Sequence, residues 1–188
     1  MSEIFFSKNF FSVLYDRIED LIKIKLGNPE EVGADRLVNG IAAWAEHHCN
    51  LIVIDFGTAI TFDCITSSCE YLGGVIVPGI AISLEALAQK TARLPHIDVS
   101  EKPPGIIGKT TVHAMRSGIL YGYGAMIDGL VAEIQKDMTK DYSGETRVIA
   151  TGGMAHVITP YSKVIEEIEP MLTLKGLAII HNRILGNG

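Results

Sequence analysis

The residues best suited to chemistry in this 188-residue chain lie between Leu51 and Asp63, in the sequence LIVIDFGTAITFD. An apolar run ending at Asp55 predicts a buried strand, and the residues after Thr58 predict a returning strand. Gly57 in the turn lets a ligand approach the backbone, and exposed N–H groups at such a turn favour anions. With the hydroxyls of Thr58 and Thr61, the turn suits a phosphate. Asp55 suits a cation or a water, and an ordinary hairpin turn is the alternative.

A second candidate site is the segment Gly33-Ala-Asp-Arg36, which precedes a predicted helix from Leu37 to Glu46. The carboxylate of Asp35 could accept a proton from an alcohol as a general base. The planar guanidinium of Arg36 could hold a substrate carboxylate through two hydrogen bonds. Two structural alternatives stay open from the residues alone. Asp35 could be the N-cap of the helix, and Arg36 could form a surface ion pair with Glu30 or Glu31.

The elements that would position these residues follow in a regular order. Spacing of apolar residues and of Gly and Pro predicts a third strand, two helices, a further strand and a final helix. Their predicted bounds are Tyr71–Gly79, Ile80–Lys90, Thr111–Met138 and Arg147–Ala150, the last followed by Thr151-Gly-Gly153. This βββαβα order predicts an α/β fold.

The order of elements resembles the ribonuclease-H-like module of the actin-like and sugar-kinase superfamily, whose members bind ATP between two modules. Several blocks of sequence, taken in order, resemble one family within it, the type III pantothenate kinases. They are Asn28–Asn39, Asp55–Ala59, Tyr71–Gly79, Thr91–Pro95, Gly108–Gly118, Thr151–Gly153 and Leu172–Leu177. By this resemblance, residues 1–50 correspond to the end of a first module, and residues 51–188 to the complete second one.

The resemblance implies an enzyme that uses ATP with Mg²⁺ to phosphorylate pantothenate, the first step of coenzyme A biosynthesis. It implies that Asp35 is the catalytic base and that Asp55 binds a monovalent cation, K⁺ or NH₄⁺. The other implied contacts are Gly33, Ala34, Asp35, Arg36 and Thr111 to pantothenate, and Gly57, Thr58, Gly152 and Gly153 to ATP. Thr110 or Thr111 could equally be the N-cap of the long helix.

The resemblance also implies a homodimer whose partner chain closes the pantothenate pocket. Four glycines thin one face of the long helix, which predicts close packing against a second subunit; they are Gly118, Gly122, Gly124 and Gly129.

Two positions depart from the family pattern. The family has a first phosphate loop of the type Asp-x-Gly-Asn-Thr, whereas in this sequence Asp-x-Gly-Thr occurs once, at Asp55. The chain thus resembles a family member without its N-terminal strands, as a truncated product, a fragment or one half of a split enzyme. Leu26 stands where the family has a tyrosine, nine residues before Asp35. A non-catalytic partner or regulatory subunit, or a kinase for another small hydroxy acid, are the alternative functions.

Composition narrows the possible partners and compartment. A net charge of −6 and a pI near 5.5 argue against nucleic acid or an anionic membrane as the main partner. The three cysteines, Cys49, Cys64 and Cys69, lack metal-ligand spacing and favour a reducing cytoplasm, with a Cys64–Cys69 disulfide as the alternative. We also find no signal-peptide pattern and no apolar run of transmembrane length.

Overall fold

A computed structural model of the chain describes residues 18–90 and 94–186. The strands are β1 (Lys23–Ile24), β2 (Asn50–Phe56), β3 (Ala59–Ile65), β4 (Glu70–Pro78), β5 (Thr146–Thr151) and β6 (Glu167–Ile168). The helices are α1 (Ala34–His47), α2 (Ile80–Lys90), α3 (Thr111–Met138), α4 (Ala155–Ile158) and α5 (Leu172–Gly186), with 3₁₀ turns at Pro29–Glu31 and Thr159–Tyr161. The first 17 residues of the predicted first module and residues 91–93 of the fourth sequence block lie outside the described ranges.

The strands form one mixed sheet in the order β1-β4-β3-β2-β5-β6. β2, β3 and β4 form the predicted antiparallel meander, and β5 lies parallel to β2 on its other side. The mixed α/β fold is therefore confirmed, and α2 and α3 have the predicted bounds. Because β2 and β5 run parallel and end together, Asp55 lies directly beside Thr151 at one edge of the sheet.

Apolar side chains of β2 alternate between two cores because successive residues of a strand point to opposite faces. Ile52 and Ile54 pack in the core beneath α3, whereas Leu51 and Val53 pack in the core beneath α1 and α5. A central strand that is apolar on both faces is typical of a sheet covered by helices on both sides. The second core holds α1, and with it the Gly33–Arg36 segment, against the sheet.

Residues before β2 belong to the same sheet as the rest of the chain. β1 pairs in parallel with the outer edge of β4, through Lys23 opposite Glu70 and Ile24 opposite Tyr71. The proposed division into modules at residue 50 stays a prediction.

Thr110 is the N-cap of α3. The sequence leaves Thr110 and Thr111 as the two candidates for this role. The side-chain oxygen of Thr110 accepts a hydrogen bond from the backbone N–H of His113 at 3.2 Å. This contact satisfies one of the N–H groups that the first turn of a helix leaves unpaired. Thr111 is then the first residue of the helix, and it is exposed.

The prediction that four glycines share one face of α3 is wrong for Gly124. A Cβ atom on Gly124 would come within 2.2 Å of the Tyr161 carbonyl oxygen, so this glycine permits close packing inside the chain. A Cβ at Gly118, Gly122 or Gly129 would meet no atom within 4 Å. The reason is helical geometry, since position 124 lies about 200° around the helix from position 122.

The cysteines at 49, 64 and 69 are free thiols, so the alternative Cys64–Cys69 disulfide does not form. Burial raises the pKa of both Cys64 and Cys69 to about 12, which keeps these thiols protonated at neutral pH. In the described ranges, each helix is either too short or too polar to cross a membrane.

Candidate active site

Asp55 lies at the centre of the candidate site, at the end of β2. Its Oδ2 accepts a hydrogen bond from Asn39 Nδ2 of α1 at 3.1 Å. On its other side lies Gly152, which has a φ of +90° and follows β5. A Cβ at Gly152 would come within 2.6 Å of Asp55 Oδ1, so only glycine allows this turn to lie against the carboxylate. The structure thus brings the predicted cation-binding and ATP-binding residues together.

Asp35 lies in the first turn of α1 with its carboxylate exposed. The N-cap of α1 is Gly33, so the alternative of Asp35 as the N-cap is wrong. Asp35 Oδ1 instead accepts the backbone N–H of Arg36 at 3.0 Å. The carboxylate lies so close to Gly33 that a Cβ there would be 2.5 Å from Oδ1. Gly33 therefore makes room for Asp35, and the neighbouring Ala34 is partly exposed beside it.

Arg36 forms an ion pair with Asp63 of β3 rather than with Glu30 or Glu31, so the surface-pair alternative is wrong. The Arg36 Nε atom donates to Asp63 Oδ1 at 2.6 Å, and the Asp63 side chain is fully buried. The guanidinium lies 5.7 Å from the centroid of the Tyr71 ring, in a cation–π contact.

Two hydroxyl groups complete the hydrogen bonding of Asp63. Tyr71 Oη donates to Asp63 Oδ1 at 2.7 Å, and Thr61 Oγ1 donates to Asp63 Oδ2 at 2.9 Å. This agrees with the sequence pattern, in which Thr61 and Asp63 share one face of a strand. Because a buried carboxylate with these partners cannot swing away, it fixes the direction of the Arg36 side chain.

Gly74 of β4 lets Arg36 lie close to the sheet. A Cβ at Gly74 would come within 1.7 Å of the Phe62 carbonyl oxygen and 3.0 Å of Arg36 Nη2. Leu26 lies nearby, with its Cδ2 3.2 Å from the position of a Cβ on Gly73. Leu26, which stands where the family pattern has a tyrosine, therefore lies beside β4, the strand against which Arg36 packs.

The β2–β3 turn offers fewer free donors than its sequence suggests. Gly57 and Thr58 are exposed, as a phosphate-binding role requires. The Gly57 N–H, however, donates to the Ala59 carbonyl at 3.1 Å. The Thr58 carbonyl accepts the Gly79 N–H at 3.1 Å, which joins the turn to the start of α2. The Thr58 hydroxyl is therefore a better candidate for a phosphate than the Gly57 amide.

Thr111 and Gly153 are the remaining predicted residues. Gly153 is exposed next to Gly152, at the same edge of the sheet as Asp55. Across residues 18–90 and 94–186, no hydrogen bond joins Thr111 to Asp35. The other predicted contacts thus cluster around the ends of β2, β5 and α1, whereas Thr111 begins a different helix.

Asp55 is partly buried, and the carboxylates of Asp35 and of the arginine-paired Asp63 face it from α1 and β3. Burial raises the pKa of Asp55, the Asn39 hydrogen bond opposes that rise, and the carboxylates of Asp35 and Asp63 add to it. Burial also raises the pKa of Asp63, against the lowering effect of Arg36. Since the folded-state pKa of Asp55 lies above its unfolded value, its ionisation lowers stability as the pH rises through that interval. A bound cation would relieve this cost.

The groups around Asp55 bear on the kind of cation that it could hold. Within the described parts of the chain, no three His, Cys, Asp or Glu side chains are arranged to hold a metal ion. Calcium sites in proteins typically use several carboxylates, whereas potassium is bound well by carbonyl oxygens with little added charge. Asp55 supplies one carboxylate beside the backbone turn at Gly152.

Sequence reasoning missed two side chains of this site, Asn39 and Thr173. Thr173 Oγ1 of α5 donates to Asn39 Oδ1 at 2.7 Å, and Asn39 in turn donates to Asp55. The one available signal was Asn39 itself, a polar residue at i+4 from Asp35 in a helix whose neighbouring positions are apolar.

The sequence matches the family model described as type III pantothenate kinase over residues 1–133. A type III pantothenate kinase of Desulfotalea psychrophila is 58% identical over 166 residues, covering 87% of this chain and 61% of the relative. One of Geotalea uraniireducens is 51% identical over 160 residues, covering 85% and 60%. One of Myxococcus xanthus is 47% identical over 156 residues, covering 83% and 59%.

A solved structure has the same fold. It is that of a Campylobacter jejuni protein assigned to the Baf family of transcriptional activators, with a TM-score of 0.61 and 22% identity. The match covers 93% of this chain and 73% of that one.

The α/β fold, the site geometry and these matches agree, and the chain belongs to the type III pantothenate kinase family. It spans about three fifths of the length of the curated relatives that it matches.

Proposed function

We propose that this chain contributes the pantothenate-binding and catalytic-base residues of an ATP-dependent pantothenate kinase in coenzyme A biosynthesis. The observation that carries the proposal is that α1 brings its first two turns against both carboxylates of the β2–β3 hairpin, with Asn39 bonded to Asp55 at 3.1 Å and Arg36 to Asp63 at 2.6 Å. Asp35 and Asp63 are both close enough to Asp55 to raise its pKa. One exposed carboxylate, one partly buried carboxylate and one arginine-paired carboxylate there can serve three different roles.

In the proposed reaction, the Asp35 carboxylate takes the proton of the primary hydroxyl of pantothenate as its oxygen attacks the γ-phosphorus of ATP. The bond from that phosphorus to the bridging oxygen breaks, and ADP leaves. Arg36 directs its guanidinium toward the carboxylate of pantothenate, because Asp63 holds its Nε. The Thr58 hydroxyl and the Gly152–Gly153 turn contact ATP, which carries Mg²⁺ as in phosphoryl transfer generally.

Pantothenate should bind the 188-residue chain, and Arg36→Lys should weaken that binding by about 10- to 150-fold. Lysine keeps the charge but lacks the planar fork, so a charge-assisted contact worth roughly 1.5–3 kcal/mol is lost. Isothermal titration calorimetry measures both affinities. Replacement of Arg36 by alanine is unsuitable, since it would leave Asp63 buried without its counter-ion.

Arg147→Lys is the matched control, because Arg147 pairs with Glu166 and Glu167 at the β5–β6 edge. Its affinity for pantothenate should equal that of the parent. Equal affinities for the Arg36→Lys variant and the parent would contradict the proposed role of Arg36. Tighter binding of another small hydroxy acid than of pantothenate would instead indicate a different substrate, which the leucine at position 26 makes an alternative.

We further propose that Asp55 binds a monovalent cation next to the nucleotide phosphates. Exchange of sodium for potassium at constant ionic strength should raise nucleotide affinity by roughly 5-fold or more, the scale of ordinary coupling between sites. The effect should shrink as the pH falls through the raised pKa of Asp55, because a protonated carboxyl does not attract a cation. Calorimetric titration with ATP in the two salts measures it.

Asp55→Ala should remove the difference between the salts, whereas Asp141→Ala, an exposed change beyond the end of α3, should leave it intact. A parent chain with equal nucleotide affinity in both salts would refute the cation site.

A homodimer is the proposed assembly, with the open face of α3 as its contact. Gly118 and Gly122 line a groove of about 380 Å³ together with Ile106, which is 65% exposed. Sedimentation velocity at micromolar concentration should show a dimer, and Gly122→Arg should give a monomer. The arginine has open space in the single chain, so the fold should not suffer.

Gly27→Arg, at another glycine with open space, should remain dimeric. A parent chain that sediments as a monomer would contradict the assembly. In the proposed dimer, the partner chain closes the pantothenate pocket near Thr111.

The ribonuclease-H-like module of the actin-like superfamily is the proposed fold family, and it is supported by the β2–β3–β4 meander with β5 parallel to β2. A cytoplasmic location is proposed because the three cysteines are free thiols, which suits a reducing compartment.

A further inference from the structure

A chain of hydrogen bonds connects the last helix of the protein to the proposed cation-binding carboxylate. Thr173 Oγ1 of α5 donates to Asn39 Oδ1 of α1, and Asn39 Nδ2 donates to Asp55 Oδ2 of β2. Asn39 is 1% exposed. A buried amide needs partners for both of its ends, and these two contacts supply one for each end.

The two contacts fix which way the amide points. An ionised carboxylate can only accept hydrogen bonds, so the NH₂ group of Asn39 must face Asp55. The carbonyl oxygen of Asn39 then faces Thr173, whose hydroxyl supplies the donor. Without that hydroxyl, the carbonyl oxygen of Asn39 would lose its donor in this pair of contacts, and the amide would be held at its NH₂ end alone.

α5 is held in register with α1 by close packing at Gly176, one turn beyond Thr173. A Cβ at Gly176 would come within 2.3 Å of the Val38 carbonyl oxygen. Lys175 adds ion pairs to Glu46 of α1, at 3.0 Å, and to Glu169. The position of the Thr173 hydroxyl is therefore set by the packing of the two helices.

We propose that Thr173 and Asn39 are positioning residues that hold Asp55 Oδ2 and thereby leave Oδ1 directed toward Gly152 and the nucleotide. The role given to Asp55 rests on the proposed function, whereas the relay of hydrogen bonds from Thr173 to Asn39 and from Asn39 to Asp55 can be tested separately. The charged groups that face Asp55 are Asp35 of α1 and Asp63 of β3, the latter paired with Arg36. Neither touches Thr173 through a hydrogen bond in the described residues.

The first test follows the side-chain amide of Asn39 by ¹⁵N–¹H NMR, with its signals assigned by their loss in Asn39→Ser. In Thr173→Val, exchange of these amide protons with water should accelerate by roughly 2- to 12-fold, the equivalent of one hydrogen bond. Thr173→Ser retains the hydroxyl and should restore the parent rate. Leu174→Ala, a change at an exposed neighbour on α5, should also show the parent rate.

The second test measures the ratio of ATP affinity in potassium to that in sodium. Thr173→Val should bring this ratio toward one, and Thr173→Ser should restore it. If valine is poorly tolerated, Thr173→Ala carries the same expectation. An unchanged Asn39 exchange rate in the folded valine or alanine variant overturns the relay. If exchange is faster in that variant but the unmodified chain binds ATP equally well in potassium and in sodium, the relay is retained and the cation proposal is refuted.

Discussion

Asp35→Asn is expected to lower the rate of phosphate transfer to pantothenate by about two to four orders of magnitude, the usual contribution of a positioned general base. Asparagine has almost the same shape, but it cannot accept the proton of the attacking hydroxyl. The exposed carboxylate of Asp35, packed over Gly33 and bonded to the Arg36 N–H, is placed for that role. Single-turnover transfer of labelled phosphate measures the rate even when turnover is slow.

Glu31→Gln is the matched control, since it removes another exposed carboxylate just before α1. Its transfer rate should equal that of the parent. Pantothenate affinity should change little in Asp35→Asn, because the base acts mainly in the transition state. Near-normal phosphate transfer by the asparagine variant would exclude Asp35 as the base.

The second large effect concerns the 188-residue polypeptide by itself, which we expect to phosphorylate pantothenate far more slowly than one turnover per second, the low end of ordinary enzymes. Its sequence holds one Asp-x-Gly-Thr turn, whereas the family pattern has a further phosphate loop. Loss of a single preorganised donor typically costs ~2.7–4 kcal/mol of transition-state stabilisation, and a whole loop should cost more. Within β2–β3, the Gly57 N–H is already bonded to Ala59.

The measurement is phosphate transfer with ATP, Mg²⁺, K⁺ and pantothenate, run beside calorimetry with pantothenate. Binding without turnover is the expected result. Fusion to the part of the Desulfotalea psychrophila relative that this chain does not match should restore turnover, since the match covers 61% of that relative. Turnover near one per second by the 188 residues alone would show that a second phosphate loop is dispensable.

A fused chain that binds both substrates but stays inactive would favour the alternative function, a non-catalytic partner or regulatory subunit. In such an inactive fused chain, Asp35→Asn would not change the rate of phosphate transfer. The two experiments together separate a misassigned base from an inactive relative.

Several features of this protein were determined by local sequence. The bounds of α2 and α3, an N-cap within the Thr110–Thr111 pair and the β2–β3 hairpin follow from apolar spacing and from residues whose backbone preferences act over a few positions. Asp35 and Asp55 were candidates because each lies in a short segment with a glycine, Gly33 and Gly57, although the glycine that packs against Asp55 is the distant Gly152.

Other features were decided only by the tertiary structure. The partner of Arg36 is Asp63, 27 residues away, and the partner of Asn39 is Thr173, 134 residues away. Which glycines of α3 pack inside the chain, as Gly124 does against Tyr161, depended on what lies against that helix, and the Gly57 N–H was taken by a turn contact. Local spacing cannot predict such pairs, because the packing of helices on a sheet decides which distant side chains meet and which donors remain free for a ligand.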